Sequence, residues 1–238
     1  LEDLERALNF ALISEGLLNN DETYADAIML KVKLHSLVIG RYKEYFDYGE
    51  YVTKEQYINK LFDSGVKTQI VNINLEDIDD WFGKFITKSV SKLLFDYSKT
   101  QAQRATKPFH IFLEEAHRYV QNDNDVDLFG YNIFERISKE GRKYGILLNL
   151  ISQRPVELSD TVISQFANFF IFKLNHPKDL DYVKQMLPNI NAEIVEKQKS
   201  LQPGTCVGFG QAFKIPLIIK MNMPNLAPSS SSCDIYNS

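Results

Sequence analysis

The sequence has only two cysteines, Cys206 and Cys233, far apart in the chain. That excludes a disulfide framework and a cysteine-based metal site. Long hydrophobic runs are also missing: each is broken within about eight residues, against the ~18 that a membrane-spanning helix needs. The opening residues LEDLERALNF carry neither the basic region nor the apolar stretch of a signal peptide. We therefore expect a cytoplasmic protein with no membrane partner. Neither sign of charge dominates. Lys and Arg number 27 against 31 Asp and Glu, for a net charge of -4 and a pI of about 5.6. A polybasic nucleic-acid coat is excluded, and any contact with DNA must use a few local cations. The first residue is Leu1 rather than methionine, and Leu4, Leu8, Ala11 and Leu12 already share one helical face. That start reads as the interior of a longer gene product.

What is present is ordinary globular chemistry. Of the 238 residues, 44% are hydrophobic and 24% charged, close to the soluble average. Length over ~150 gives about 1.6 domains, hence one large α/β domain or one domain with an insertion. Residues 1–65 read as helical throughout. One helix is expected over 1–18, a second from 21 or 23 toward 46, and a third opened by Thr53 with Gln56 three residues on, the pattern of a reciprocal cap. No strand-like run interrupts them.

From residue 66 strands and helices alternate. TQIVNINL (68–75) is β-rich. A helix from about 77 keeps a 3.6-residue period through Ile78, Trp81, Phe82, Phe85, Ile86, Val90, Leu93, Leu94 and Tyr97. Pro108 precedes the strand FHIFLEE, and a helix is expected over 126–142. GILLNLIS (145–152) and NFFIFKL (168–174) are apolar runs separated by a helix starting near Ser159. Two helical pieces follow, at 177–187 and 192–201, and then the strands 205–210 and 214–221. Near-continuous apolar strands alternating with helices predict a mostly parallel sheet covered on both faces. The last two strands, with no helix between them, predict an antiparallel edge hairpin. The organisation expected is a helical subdomain over 1–65, an α/β core over 66–224 and a polar tail over 225–238.

In open α/β sheets ligands sit at the carboxyl ends of the strands, and two exits carry chemistry. Glu114 and Glu115 follow His110-Ile111-Phe112-Leu113, and Gln153 follows the run ending at Ser152. Adjacent carboxylates suit metal-assisted phosphoryl transfer. The first can support the water shell of Mg²⁺, and the second can orient or deprotonate an attacking water. Acids at the start of a helix also favour its dipole, and the pair alone does not choose between the two. Gln153 can hydrogen-bond a γ-phosphate or a water, or cap a turn before Pro155. Arg142 and Lys143, at a helix end in SKEGRKYG, either complement the dipole or act on the charge of a transferring phosphoryl group. His110 and His117 form no ligand pair with a cysteine. Gly208-Phe209-Gly210 lies within a strand and reads as a bulge or close packing. No two of the eleven glycines have the five-residue separation of a phosphate-cradling GxxxxGK[ST] loop; if this sheet hydrolyses ATP, the cradle must precede Leu1.

In their order, IFLEEAHRYV, ISKEGRKYGILLNLISQRP, VISQFANFFIFKLNHPKD and LQPGTCVGFGQAFKIPLII resemble the C-terminal half of HerA-type ATPases, in the FtsK–HerA branch of the RecA-like P-loop NTPases. The resemblance covers roughly residues 69–223, and the helical segment before it resembles an insertion of that family. It implies a partial RecA-like core lacking its phosphate loop. It also implies ATP and Mg²⁺ as cofactors, with Glu114 as the metal-supporting acid, a Glu where many relatives have Asp. Glu115 is implied as the catalytic glutamate and Gln153 as the γ-phosphate sensor. Arg142 is implied as a finger into a neighbouring subunit's site, with Lys143 as a helper on the nucleotide. The family forms hexamers that pump duplex DNA, often beside a nuclease or, in anti-phage defence, another effector protein. Arg104 and Lys107 are candidate DNA contacts by charge, or simply solvated cations. The alternative is a non-catalytic scaffold of RecA-like shape that holds a partner nuclease or effector.

Overall fold

Thr53 and Gln56 close the reciprocal cap that their spacing predicts. The Thr53 amide donates to Gln56 Oε1 at 2.9 Å and the Gln56 amide to Thr53 Oγ1 at 3.2 Å. Two amides at the start of helix α1 (Lys54–Phe62) are thereby satisfied. The computed structural model describes residues 6, 7, 9, 10, 13, 28–32, 53–62, 69–76, 78–122, 131–186, 197 and 199–225. The chain divides into two compact units, Leu1–Leu61 and Phe62–Ser238. In the first, residues 6, 7, 9, 10, 13 and 28–32 are helical, and Lys31 Nζ donates to Asn9 Oδ1 at 3.2 Å. The rest of the two helices expected over 1–46 lies outside the described residues, as does the tail beyond Asn225.

In the second unit the long amphipathic pattern forms helix α2 (Asp80–Thr100), entered from Asp79. It buries Phe82, Leu94, Phe95 and Tyr97. Strand β1 (Phe109–Leu113) follows, then helix α3 (Ile133–Glu140) and strand β2 (Ile146–Leu150). The Asn132 side chain caps α3 by accepting from the amides of Phe134 and Glu135. Ile133, Phe134 and Ile137 are buried on the inner face of α3, and α2 and α3 both pack on β2. Burying each large apolar side chain contributes roughly 1.5–3 kcal/mol. Residues 123–130, where the sequence predicts the start of α3, lie outside the described residues.

β1 and β2 pair in parallel, from Phe109 opposite Ile146 to Leu113 opposite Leu150, so both strands leave the sheet at the same edge. Burial alternates along them. Ile111, Leu113 and Ile146 turn inward, while Phe112 and Leu147 are exposed. Helix α4 (Asp160–Ile163) is capped by Ser159, whose Oγ accepts from the Val162 amide. Strand β3 (Asn168–Phe172), helix α5 (Pro177–Met186) and strands β4 (Thr205–Gly210) and β5 (Leu217–Lys220) complete the unit. The three strands form an antiparallel sheet in the order β3-β4-β5. Val183, Leu201, Val207 and Phe209 make its core, with Phe169, Ile171 and Leu174 against them.

Two expectations need correction. Of the stretch 68–75, read as β-rich, the described residues 69–75 carry no ladder, and residue 68 lies outside the described residues. Their propensity is high, but a strand exists only through a partner's hydrogen bonds, and Ile70 and Ile73 point to solvent. The antiparallel part is also larger than a hairpin, because β3 joins β4 instead of extending the parallel pair. Of the helix expected over 192–201, residues 197 and 199 are helical and 192–196 lie outside the described residues.

Candidate active site

The register of β1 on β2 sets the site. Past the last ladder pair, the Ile151 amide donates to the Leu113 carbonyl and the Ala116 amide donates to the Ile151 carbonyl, both at 2.9 Å. Leu113 and Ala116 are thus tied to one residue, and the two acids between them must loop out at the strand edge. Ala116 and Val120 are fully buried and anchor the far side of this loop. Glu115 absorbs the turn by taking left-handed backbone at φ 46° and ψ 45°. That conformation costs a residue with a Cβ roughly 1–2 kcal/mol. A short 3₁₀ turn, Ala116–Arg118, follows it.

The looped acid meets the exit of β2. Gln153 Nε2 donates to Glu115 Oε1 at 2.8 Å. The other oxygen, Oε2, lies 3.3 Å from His117 Nδ1, which is also 3.2 Å from Ser152 Oγ. The Ser152 oxygen accepts from the Arg154 amide at 3.0 Å. Glu114, on the same loop, is exposed, and its carboxylate has no hydrogen-bond or ion-pair partner among the described residues. The structure therefore brings Glu114, Glu115 and Gln153 to one strand edge. His117 and Ser152, which the sequence reading did not place there, sit with them. Their signal was the spacing itself: His117 two residues past Glu115, Ser152 one before Gln153.

Arg142 and Lys143 are elsewhere. They lie in a 3₁₀ turn, Gly141–Tyr144, that precedes β2, so they flank the opposite edge of the sheet. Four strand rises of about 3.3 Å put that edge roughly 13 Å away along β2. Both side chains are exposed. The turn that presents them is tightly built. A Cβ on Gly141 would lie 2.6 Å from the Ile146 carbonyl oxygen, and Gly145, at φ 79°, would place one 2.9 Å from Ala105 Cα. The Gly145 carbonyl meanwhile accepts from the Phe109 amide at 2.8 Å, tying the turn to the start of β1. Arg104 lies over the Tyr144 ring, 5.5 Å from its centroid, so the loop before β1 adds a cation at this edge.

Mg²⁺ takes hard oxygen ligands, and it is held by one or two carboxylates together with waters and phosphate oxygens. Unpartnered, exposed Glu114 meets that requirement as a single protein ligand. No cluster of three or more His, Cys, Asp or Glu that could cage a metal unaided occurs among the described residues. Among them, too, no helix is long and apolar enough to cross a membrane.

No family profile matches the chain. Solved structures place its fold. VirB4 of Thermoanaerobacter pseudethanolicus aligns over 89% of this chain and 53% of its own, with a TM-score of 0.57 at 15% identity. The genome packaging NTPase B204 of Sulfolobus turreted icosahedral virus 2, in complex with ATP-gammaS, aligns over 76% of this chain and 77% of its own, with a TM-score of 0.51 at 19% identity. The fold is that of a partial RecA-like core.

Sequence likeness is narrower. The DNA double-strand break repair helicase HerA of Saccharolobus solfataricus is 26% identical over 193 residues, which are 78% of this chain and 37% of the helicase. The HerA of Pyrococcus furiosus is 32% identical over 114 residues, 48% of this chain and 20% of its own length. The chain thus resembles HerA-type ATPases, as its motifs imply, and spans little more than a third of the length of the broadest-matching of these relatives.

Proposed function

We propose that this chain supplies the hydrolytic strand edge of an ATP-driven motor acting on double-stranded DNA. The observation that carries this reading is the 2.8 Å hydrogen bond between Gln153 and Glu115, made at the shared exit of two parallel strands with Glu114 alongside. In this reading Glu115 is the general base that orients and deprotonates the attacking water. An ionised carboxylate has about four acceptor sites, so the contacts from Gln153 and His117 still leave room for a water. Gln153 has a second amide hydrogen for a γ-phosphate oxygen. Glu114 supports Mg²⁺, which neutralises phosphate charge when bound. The phosphate cradle comes from residues outside the stretch 1–238.

Arg142, with Lys143 beside it, serves a site other than its own chain's, because it flanks the opposite sheet edge from Glu115. That division favours a ring of identical subunits, a hexamer on the family's pattern, each lending its arginine to the next. Such a motor is cytoplasmic and works on duplex DNA beside a nuclease or other effector, anti-phage defence included. The relatives' names, repair helicase HerA and genome packaging NTPase B204, support DNA as the polymer moved.

The test is ATP turnover by the intact protein with and without duplex DNA. A motor gives DNA-stimulated hydrolysis that Gln153→Ala reduces at least about tenfold, in keeping with the loss of a transition-state hydrogen bond. A non-catalytic scaffold instead assembles and binds its partner with no nucleotide dependence. That outcome removes the motor reading.

A further inference from the structure

Glu115 is gripped by more than Gln153. Its Oε2 faces His117 Nδ1 at 3.3 Å, and the histidine side chain is only 15% exposed against 43% for the glutamate. The same nitrogen lies 3.2 Å from Ser152 Oγ, on the neighbouring strand exit. A ring nitrogen that points its lone pair at a carboxylate oxygen repels it, whereas an N–H attracts it. A proton on Nδ1 would face the carboxylate and the serine oxygen together, and that is the tautomer a grip on Glu115 requires. Ser152 can accept it because an sp³ hydroxyl oxygen has two lone pairs, of which the Arg154 amide takes one.

We propose that His117 is a positioning residue for Glu115, coupling the carboxylate to the β2 exit through Ser152. This rests on the hydrolytic reading above. Gln153 holds one oxygen and His117 the other, so rotation of the carboxylate about its last side-chain bond is stopped from both sides. The short turn after Glu115 makes this possible. Left-handed backbone at Glu115 followed by the 3₁₀ turn Ala116–Arg118 folds the imidazole back onto the acid two residues earlier. The lone pairs left over then point at a defined place, which is what a base needs, since misplacement by about 1 Å can cost on the order of 10²-fold in rate. His117 touches no reacting atom in this scheme. It acts through the glutamate alone.

The experiment compares His117→Phe, which keeps a flat ring without the donor, with His117→Asn, whose amide nitrogen can stand where Nδ1 stood. In the intact protein, His117→Phe is expected to lower kcat for ATP by about 10- to 100-fold while KM stays within about twofold. His117→Asn is expected to recover most of that loss. On a Glu115→Gln background, His117→Phe should add less than about twofold, because groups acting as one unit are non-additive. A parental kcat in His117→Phe, or a full additional loss on the Glu115→Gln background, overturns the proposal. A second readout needs no activity. Nitrogen-15 spectra of the histidine-labelled protein, with the His117 signal assigned by its absence from His117→Asn, should show Nδ1 protonated. A neutral ring protonated only on Nε2 overturns the proposal even if every variant folds poorly. Failure of the hydrolytic reading looks different: Glu115→Gln itself then turns over ATP at the parental rate.

Discussion

Glu115 holds left-handed backbone at φ 46°, while Glu114, its neighbour, does not. Glycine at an ordinary φ lowers stability by about 0.5–1 kcal/mol through the unfolded chain, but at a left-handed position it relieves strain of similar size. Glu114→Gly should therefore lower the denaturation midpoint, and Glu115→Gly should leave it level or raise it, although the latter deletes the proposed base. Equal losses in both would show that the turn is not strained. Tyr182 gives a second residue-scale prediction. Burial first, and then its 2.6 Å hydrogen bond to Asp160, push its hydroxyl well above the usual 10.0. Above about pH 10 the unfolded chain has released a proton that the folded chain still holds, so stability falls as pH rises. Tyr182→Phe should flatten that decline, and unfolding curves at a series of alkaline pH values measure it. The acids, Gln153 and Arg142 were legible as residues that leave strands or end helices. The His117–Ser152 contact was not, because it exists only once Leu113 is set opposite Leu150.

Elements were legible where the signal is local. The Thr53–Gln56 cap and the 3.6-residue stripe of α2 need nothing beyond their own segment, and both are present. Residues 69–75 and the pairing of β3 were not legible, since propensity does not name a partner. Between these cases stands the turn 141–145, where two glycines four apart bracket Arg142 and Lys143. Ala at 145 would have to hold φ 79° and put its Cβ 2.9 Å from Ala105 Cα. Gly145→Ala should cost about 1–3 kcal/mol and, in the intact protein, lower ATP turnover by moving Arg142. A variant as stable and active as the parent would contradict a built turn. Asn132→Ala, which deletes the α3 cap, should cost about 1 kcal/mol in a denaturant titration.

At the scale of the molecule, one sheet edge carries the carboxylates and the other carries the arginine. If Arg142 acts on a nucleotide as proposed, it does so in the site of a neighbouring copy. Arg142→Ala and Glu115→Gln subunits, each impaired alone, should partly restore hydrolysis when mixed, because mixed interfaces pair an intact arginine with an intact glutamate. No recovery at any ratio would count against an arginine supplied by a neighbour. The proposed role of Glu115 as the base of an ATP-hydrolysing site is tested most closely by DNA-stimulated ATP turnover of the Glu115→Gln protein. Removing a general base should lower the rate by about 10²–10⁴ with nucleotide binding kept; hydrolysis at the parental rate would show that Glu115 is not the base.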